Sequence, residues 1–132
     1  MESPSPTSPS AAEPRVDSGP LRRFRDPGYV PLCTTLAEVR ANIDRIDRAI
    51  VALLAERGAY VKDAARFKRD SHQVAAPQRQ AEVFARVRAL AAELGAHPEV
   101  VEAAYRALVA GFVAREQRDF AAMEPVREGD GR

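Results

Sequence analysis

From Leu36 to Phe67 one side of the chain is apolar at alternating steps of three and four residues. The positions are Leu36, Val39, Ile43, Ile46, Ile50, Leu53, Arg57, Tyr60, Ala64 and Phe67. This is the seam of one long amphipathic helix, since a half-buried strand would alternate at every second residue. Arg57 alone breaks the apolar pattern. A guanidinium cannot be buried without an anionic partner. Lys68 stands eleven residues further on, about three turns, near the same face. Two inward cations at that spacing predict a pocket for a small anionic ligand.

The rest of the chain punctuates itself. Thr35, three residues before Glu38, has the form of a capping box and starts the first helix. No proline interrupts residues 35–68, and the only glycine there is Gly58. Residues 69–76 read as a connecting loop. Pro77 fits the first turn of a second helix that runs to Leu94 and stops at Gly95. Pro98 opens a third helix that runs to about Ala121. Its inward stripe is Val101, Tyr105, Leu108, Phe112 and then residue 115 or 116. Upstream, Asp26-Pro27-Gly28 reads as a turn before Tyr29. Met1 to Pro20 is rich in Pro, Ser and Ala and has almost nothing to bury, which predicts disorder. The tail from Pro125 to Arg132 is polar and is expected to fray.

The fold class is therefore all-α: three helices, one long and N-terminal, two shorter. A rod of roughly 34 residues spans about 50 Å, and two shorter helices of the same chain cannot cover it. The remainder of its seam would be a large sticky surface. A two-fold dimer with the long helices packed antiparallel is the simplest remedy.

That dimer also gives the cations a geometry. Arg40 lies 17 residues before Arg57, about 25 Å along one helix, so the two cannot grip one small molecule within a chain. In an antiparallel dimer, Arg40 of one copy approaches Arg57 and Lys68 of the other, and two equivalent sites result. Arg79, in the first turn of the second helix, could close each pocket from the side. Arginine forks suit carboxylates, and a lysine supplies a compact charge for one oxygen. The set matches a small dicarboxylate with a further oxygen where charge builds up. Continuing the stripe of the third helix turns Glu116 inward with Gln117 at its edge. Glu116 would serve as an ion-pair partner or, if protonated, as a hydrogen-bond donor. The plainer alternative also stands: Arg57 and Lys68 snorkel to solvent, Arg40 pairs with Asp44 one turn on, and the end of the third helix carries ordinary solvated charges.

Other chemistries lack support. The net charge is +1, with no basic face for nucleic acid. No apolar run is long enough to span a membrane, and the N-terminus does not read as a secretory signal, so a cytoplasmic protein is expected. The one cysteine, Cys33, has no base nearby to activate it. His72 and His97 are far apart and lack a ligand cluster, so no metal is expected. Ser71 belongs to no triad pattern, and no glycine-rich phosphate loop is present.

Several stretches resemble one family. Cys33-Thr34-Thr35-Leu36-Ala37, Arg40, Ile43-Asp44-Arg45-Ile46-Asp47, Tyr60-Val61-Lys62, Arg66-Phe67-Lys68 and Ala76-Pro77-Gln78-Arg79 are similar to the all-helical chorismate mutase family, in particular its isochorismate pyruvate lyase branch. The resemblance covers residues 33 to about 120. It implies a chorismate mutase-like helical domain over 33–122, an extended or disordered segment over 1–32 and a flexible tail over 123–132. It also implies an intertwined homodimer with shared sites and no cofactor. By resemblance, Arg57 and the partner's Arg40 bind substrate carboxylates, Lys68 contacts the ether oxygen and a carboxylate, and Arg79 lines the entrance. The family usually offers a glutamine to the ether oxygen from the last helix. Here Glu116 takes that place, or Gln117 if the register slips by one. A glutamate must be protonated to donate, so activity is expected to favour lower pH. Typical mutases place a glutamate just after the Arg79 position to hold the substrate hydroxyl; this chain has Gln80, whose amide can still bond a hydroxyl, so the departure weakens the mutase expectation without removing it. The implied reactions are cleavage of isochorismate to salicylate and pyruvate, foremost, or rearrangement of chorismate to prephenate. Both are pericyclic and need no nucleophile, metal or general base. A catalytically silent helical dimer that binds an anionic metabolite or a partner protein is the reading from another class.

Overall fold

A computed structural model describes residues 21–125 of the chain. Residues 1–20, expected to be disordered, and all but Pro125 of the tail expected to fray lie outside the described residues. The chain divides into two units, Met1–Ile50 and Val51–Arg132. Among the described residues there are helices and no strands.

In the first unit, residues 21–35 form neither helix nor strand. The turn at Asp26-Pro27-Gly28 is present. The Gly28 N–H donates to Asp26 Oδ1 at 2.9 Å, and the Tyr29 N–H donates to the Asp26 carbonyl at 3.1 Å. Helix α1 (Leu36–Ala64) starts in this unit. The Glu38 N–H donates to Thr35 Oγ1 at 3.1 Å, half of the expected capping box. The return bond goes one residue further back: the Glu38 carboxylate accepts from the Thr34 hydroxyl at 3.2 Å.

No residue of α1 is buried. The seam stays open in the isolated chain, with Ile43 50 %, Ile46 46 % and Ile50 48 % exposed.

The second unit begins with the end of α1. The α-helix stops at Ala64, and its last turn tightens into a 3-10 turn, Ala65–Phe67, before Lys68 becomes extended. A helix unbroken to Lys68 is therefore corrected. The cause lies downstream, where a helix α2 (Ser71–Ala75) occupies the expected loop. Asp70 caps it, accepting from the Gln73 N–H at 2.8 Å, and Gln73 Oε1 accepts in turn from the Arg69 N–H at 2.7 Å. This reciprocal cap claims residues 69–73 and leaves Lys68 as the hinge between two helical segments.

Helix α3 (Pro77–Leu94) opens on its proline and ends at Gly95, which adopts φ 77°. Helix α4 (Pro98–Ala121) likewise opens on a proline. These bounds agree with the prolines and the glycine. The core of this unit is thin: Ala65, Val74, Val87, Ala91 and Val109 are its buried apolar residues, and Glu116 is buried with them. Helix α4 packs against α2, α3 and the 3-10 turn. Gly58 lets α1 approach α4 closely, since a Cβ there would stand 2.9 Å from Phe112 Cε1.

Candidate active site

A cavity of about 340 Å³ opens within the second unit. The end of α1 contributes Arg57, Tyr60, Val61 and Ala64 to its wall. Lys68 follows the 3-10 turn, Val74 and Ala75 come from α2, Arg79 and Gln80 from α3, and Phe112 and Glu116 from α4. A volume of this size suits a small organic acid.

Arg57 is half-buried. Its guanidinium carbon lies 5.1 Å from the centre of the Phe112 ring and 6.0 Å from that of Tyr105. The two aromatic residues, seven apart on α4, hold the cation by their ring faces. One guanidinium nitrogen is left over: Arg57 Nη1 is buried and has no hydrogen-bond partner among the described residues. Glu116 Oε2 is in the same condition. Buried polar atoms without partners are costly. Two of them on residues that line one cavity point to a ligand that completes them.

Glu116 keeps 6 % of its exposure. Burial raises its carboxyl above the ordinary value of 4.5; the ammonium of Lys68 opposes this, and Asp119 adds to it. Desolvation disfavours the charged form, so the acid is held toward its neutral state beside an ammonium that would otherwise ionise it.

Lys68 reaches the cavity by a different route from the expected one. It does not continue the α1 seam. It is extended, with φ −97° and ψ 150°, and its N–H bonds the Ala65 carbonyl. Arg79 is largely exposed and pairs with Glu82 at 3.6 Å, a contact worth little in water. The Gln80 side chain donates to the carbonyl of Ala75, at the end of α2. Between the two stands Ala76, with φ 44° and ψ 62°. For a residue with a Cβ this left-handed geometry costs about 1–2 kcal/mol.

Of the residues singled out in the sequence, the cavity therefore gathers Arg57, Lys68, Arg79, Gln80 and Glu116. Gln117 is half-buried and lines no part of it, so the open register of α4 resolves to Glu116. Arg40 lies exposed on the first half of α1, in the other unit. The sequence reading missed α2 and Ala76; the Asp70-x-x-Gln73 box was the signal for the first. It also missed Val109 as core. Among the described residues no three of His, Cys, Asp and Glu gather as a metal site would need, and no helix is long and apolar enough to cross a membrane.

Residues 39–117 match the family model of chorismate mutase type II. The isochorismate pyruvate lyase of Pseudomonas aeruginosa is 37 % identical over 84 residues, covering 64 % of this chain and 83 % of that protein.

Proposed function

The chain belongs to the chorismate mutase type II family and is an enzyme of that family; from that premise we propose that it cleaves isochorismate to salicylate and pyruvate. The observation that carries this reading is the pair of unpartnered buried atoms, Arg57 Nη1 and Glu116 Oε2. They belong to residues that line one cavity with Lys68 and Arg79.

The reaction asks for what such a cavity supplies. The ether C–O bond breaks, and the enol oxygen becomes the ketone oxygen of pyruvate. The methylene carbon takes a hydrogen from the ring carbon next to the ether, and the ring becomes aromatic. Electrons circulate in one concerted step, so no nucleophile or base is required. Catalysis comes from folding the substrate into its reactive shape and from stabilising charge that grows on the ether oxygen. Arg57 grips one carboxylate, with the unpartnered Nη1 as the donor in place. Lys68 and the neutral acid of Glu116 donate to the ether oxygen. Arg79 guards the mouth and draws in the dianion.

Arg40 completes the site from a second copy. Support for a homodimer comes from the bare α1 seam, where three isoleucines stand about half exposed in the isolated chain. Packing two such seams antiparallel removes that surface from water at roughly 25 cal/mol per Å², and brings Arg40 of each copy toward the partner's Arg57 and Lys68.

Rearrangement of chorismate to prephenate is the second reading; Gln80 in place of the usual glutamate weakens it, although Gln80 lines the same cavity and, with its N–H given to Ala75, keeps an amide oxygen that can accept from a substrate hydroxyl. Incubating purified protein with each substrate separately tests both. Salicylate with equimolar pyruvate supports the lyase and prephenate the mutase. If neither forms, a dimer that only binds an anionic metabolite or a partner protein replaces both readings.

A further inference from the structure

Glu116 has two sides. On one it faces the cavity. On the other lies a second hollow of about 290 Å³, lined by Lys62 of α1 and by Arg115 and Asp119 of α4, among others. Val61, Phe112 and Glu116 line both spaces and so form the partition between them. Asp119 stands three residues beyond Glu116, the spacing that sets two side chains beside each other on a helix.

The ion pair at this hollow is lopsided. Arg115 Nε meets Asp119 Oδ1 at 3.5 Å, but the arginine side chain is 67 % exposed and the aspartate 15 %. The cation stands in water, where its field is screened. The anion lies against the protein beside Glu116, where it is screened less.

We propose that Asp119 is a positioning residue acting through this rear hollow: its carboxylate holds Glu116 as the neutral acid that donates to the substrate. The proposal rests on the reading of Glu116 as a donor given above.

The need for such a residue follows from the other charges around Glu116. Helix α1 presents Arg57 and Lys62, with Tyr60 on the cavity wall. Lys68 follows the 3-10 turn, and Arg79 comes from α3. Helix α2 lines the cavity with apolar Val74 and Ala75, and its His72 is exposed. Arg115 is on α4 itself. Of these, Lys68 is the cation that favours ionised Glu116, and an ionised carboxylate cannot donate. Burial is the main opposing cause, and Asp119 is the anion that adds to it.

The test is a titration of the Glu116 carboxyl carbon by NMR in protein labelled with ¹³C-glutamate, the signal assigned by its loss in Glu116→Gln. In Asp119→Asn the midpoint is expected at lower pH than in wild type. The high-pH limb of the turnover profile should move with that midpoint, which a merely structural role would not cause. An unmoved midpoint in folded Asp119→Asn overturns the proposal. Should that variant not fold, Asp119→Ser decides: a downward shift supports the proposal and no shift overturns it. The titration needs no substrate. Shifted midpoints in a protein inactive on both substrates would therefore sink the functional reading and leave the electrostatic one intact.

Discussion

Gly58 links the packing of the second unit to its chemistry, and Gly58→Ala tests that link. The new methyl would stand 2.9 Å from Phe112 Cε1, where carbon atoms prefer about 3.5–4.0 Å. Either the ring pivots or the helices part by roughly 0.5–1 Å. Two opposed terms decide the outcome. Alanine in a helix interior gains roughly 0.5–1 kcal/mol over glycine, while overpacking costs about 1–3 kcal/mol. A net loss of about 1 kcal/mol is expected, lowering the melting temperature by about 4–8 °C in a domain of this size. The effect on activity should be larger. The ring being displaced stands 5.1 Å from the Arg57 guanidinium, so the carboxylate clamp moves with it. A misplacement of about 1 Å in a positioning group can cost on the order of a hundredfold in rate. Melting curves and steady-state kinetics on whichever substrate is turned over provide the readout. Adding Phe112→Leu, which trims the ring, should recover part of the stability. A Gly58→Ala variant that melts higher than wild type with unchanged kcat/KM would refute the reasoning.

Three further outcomes follow from the same structure. Lys68→Ala should lower kcat by about 10²–10³, the usual scale for losing one charge-stabilising donor, with the mass in solution unchanged; unaltered kcat would remove Lys68 from the mechanism. Glu116→Gln should extend activity to higher pH, because the amide donates at every pH. Its stability should change as well: a carboxyl raised in the folded state contributes stability that is lost as pH rises from its unfolded value through its folded one. The stability of the variant relative to wild type should therefore rise with pH across that window in pH-dependent melts, and a relative stability that falls with rising pH would contradict the burial of this acid. Ile46→Lys, in the middle of the open seam, should yield monomers in sedimentation and abolish turnover; an unchanged mass would exclude the seam as the interface.

Much of the fold was legible because its punctuation is local. Pro77, Gly95 and Pro98 act through their own backbone geometry, so α3 and α4 begin and end where those residues direct. The end of α1 was harder to read. The apolar period continues through Phe67, yet the cap formed by Asp70 and Gln73 competes for the same stretch and wins. At the site, Arg57 was legible because it interrupts an apolar stripe, and Glu116 because it continues one. Lys68 belongs to the cavity for a reason the helical period did not contain, an extended backbone after a 3-10 turn. The clasp of Arg57 by Tyr105 and Phe112, and the clearance Gly58 provides, depend on contacts between α1 and α4 that no local pattern carries.

A cationic cavity completed by a second copy needs residues of two chains at once. Complementation between two inactive variants tests it most directly. Arg40→Ala and Lys68→Ala are purified, shown to be inactive alone, then unfolded together and refolded as an equal mixture. In a mixed dimer one cavity regains both its own Lys68 and an intact Arg40 from the partner, while the other lacks both. Random pairing makes half of the dimers mixed with one complete site each, so about a quarter of wild-type activity should return. A mixture that forms dimers and stays as inactive as its parents would contradict the account.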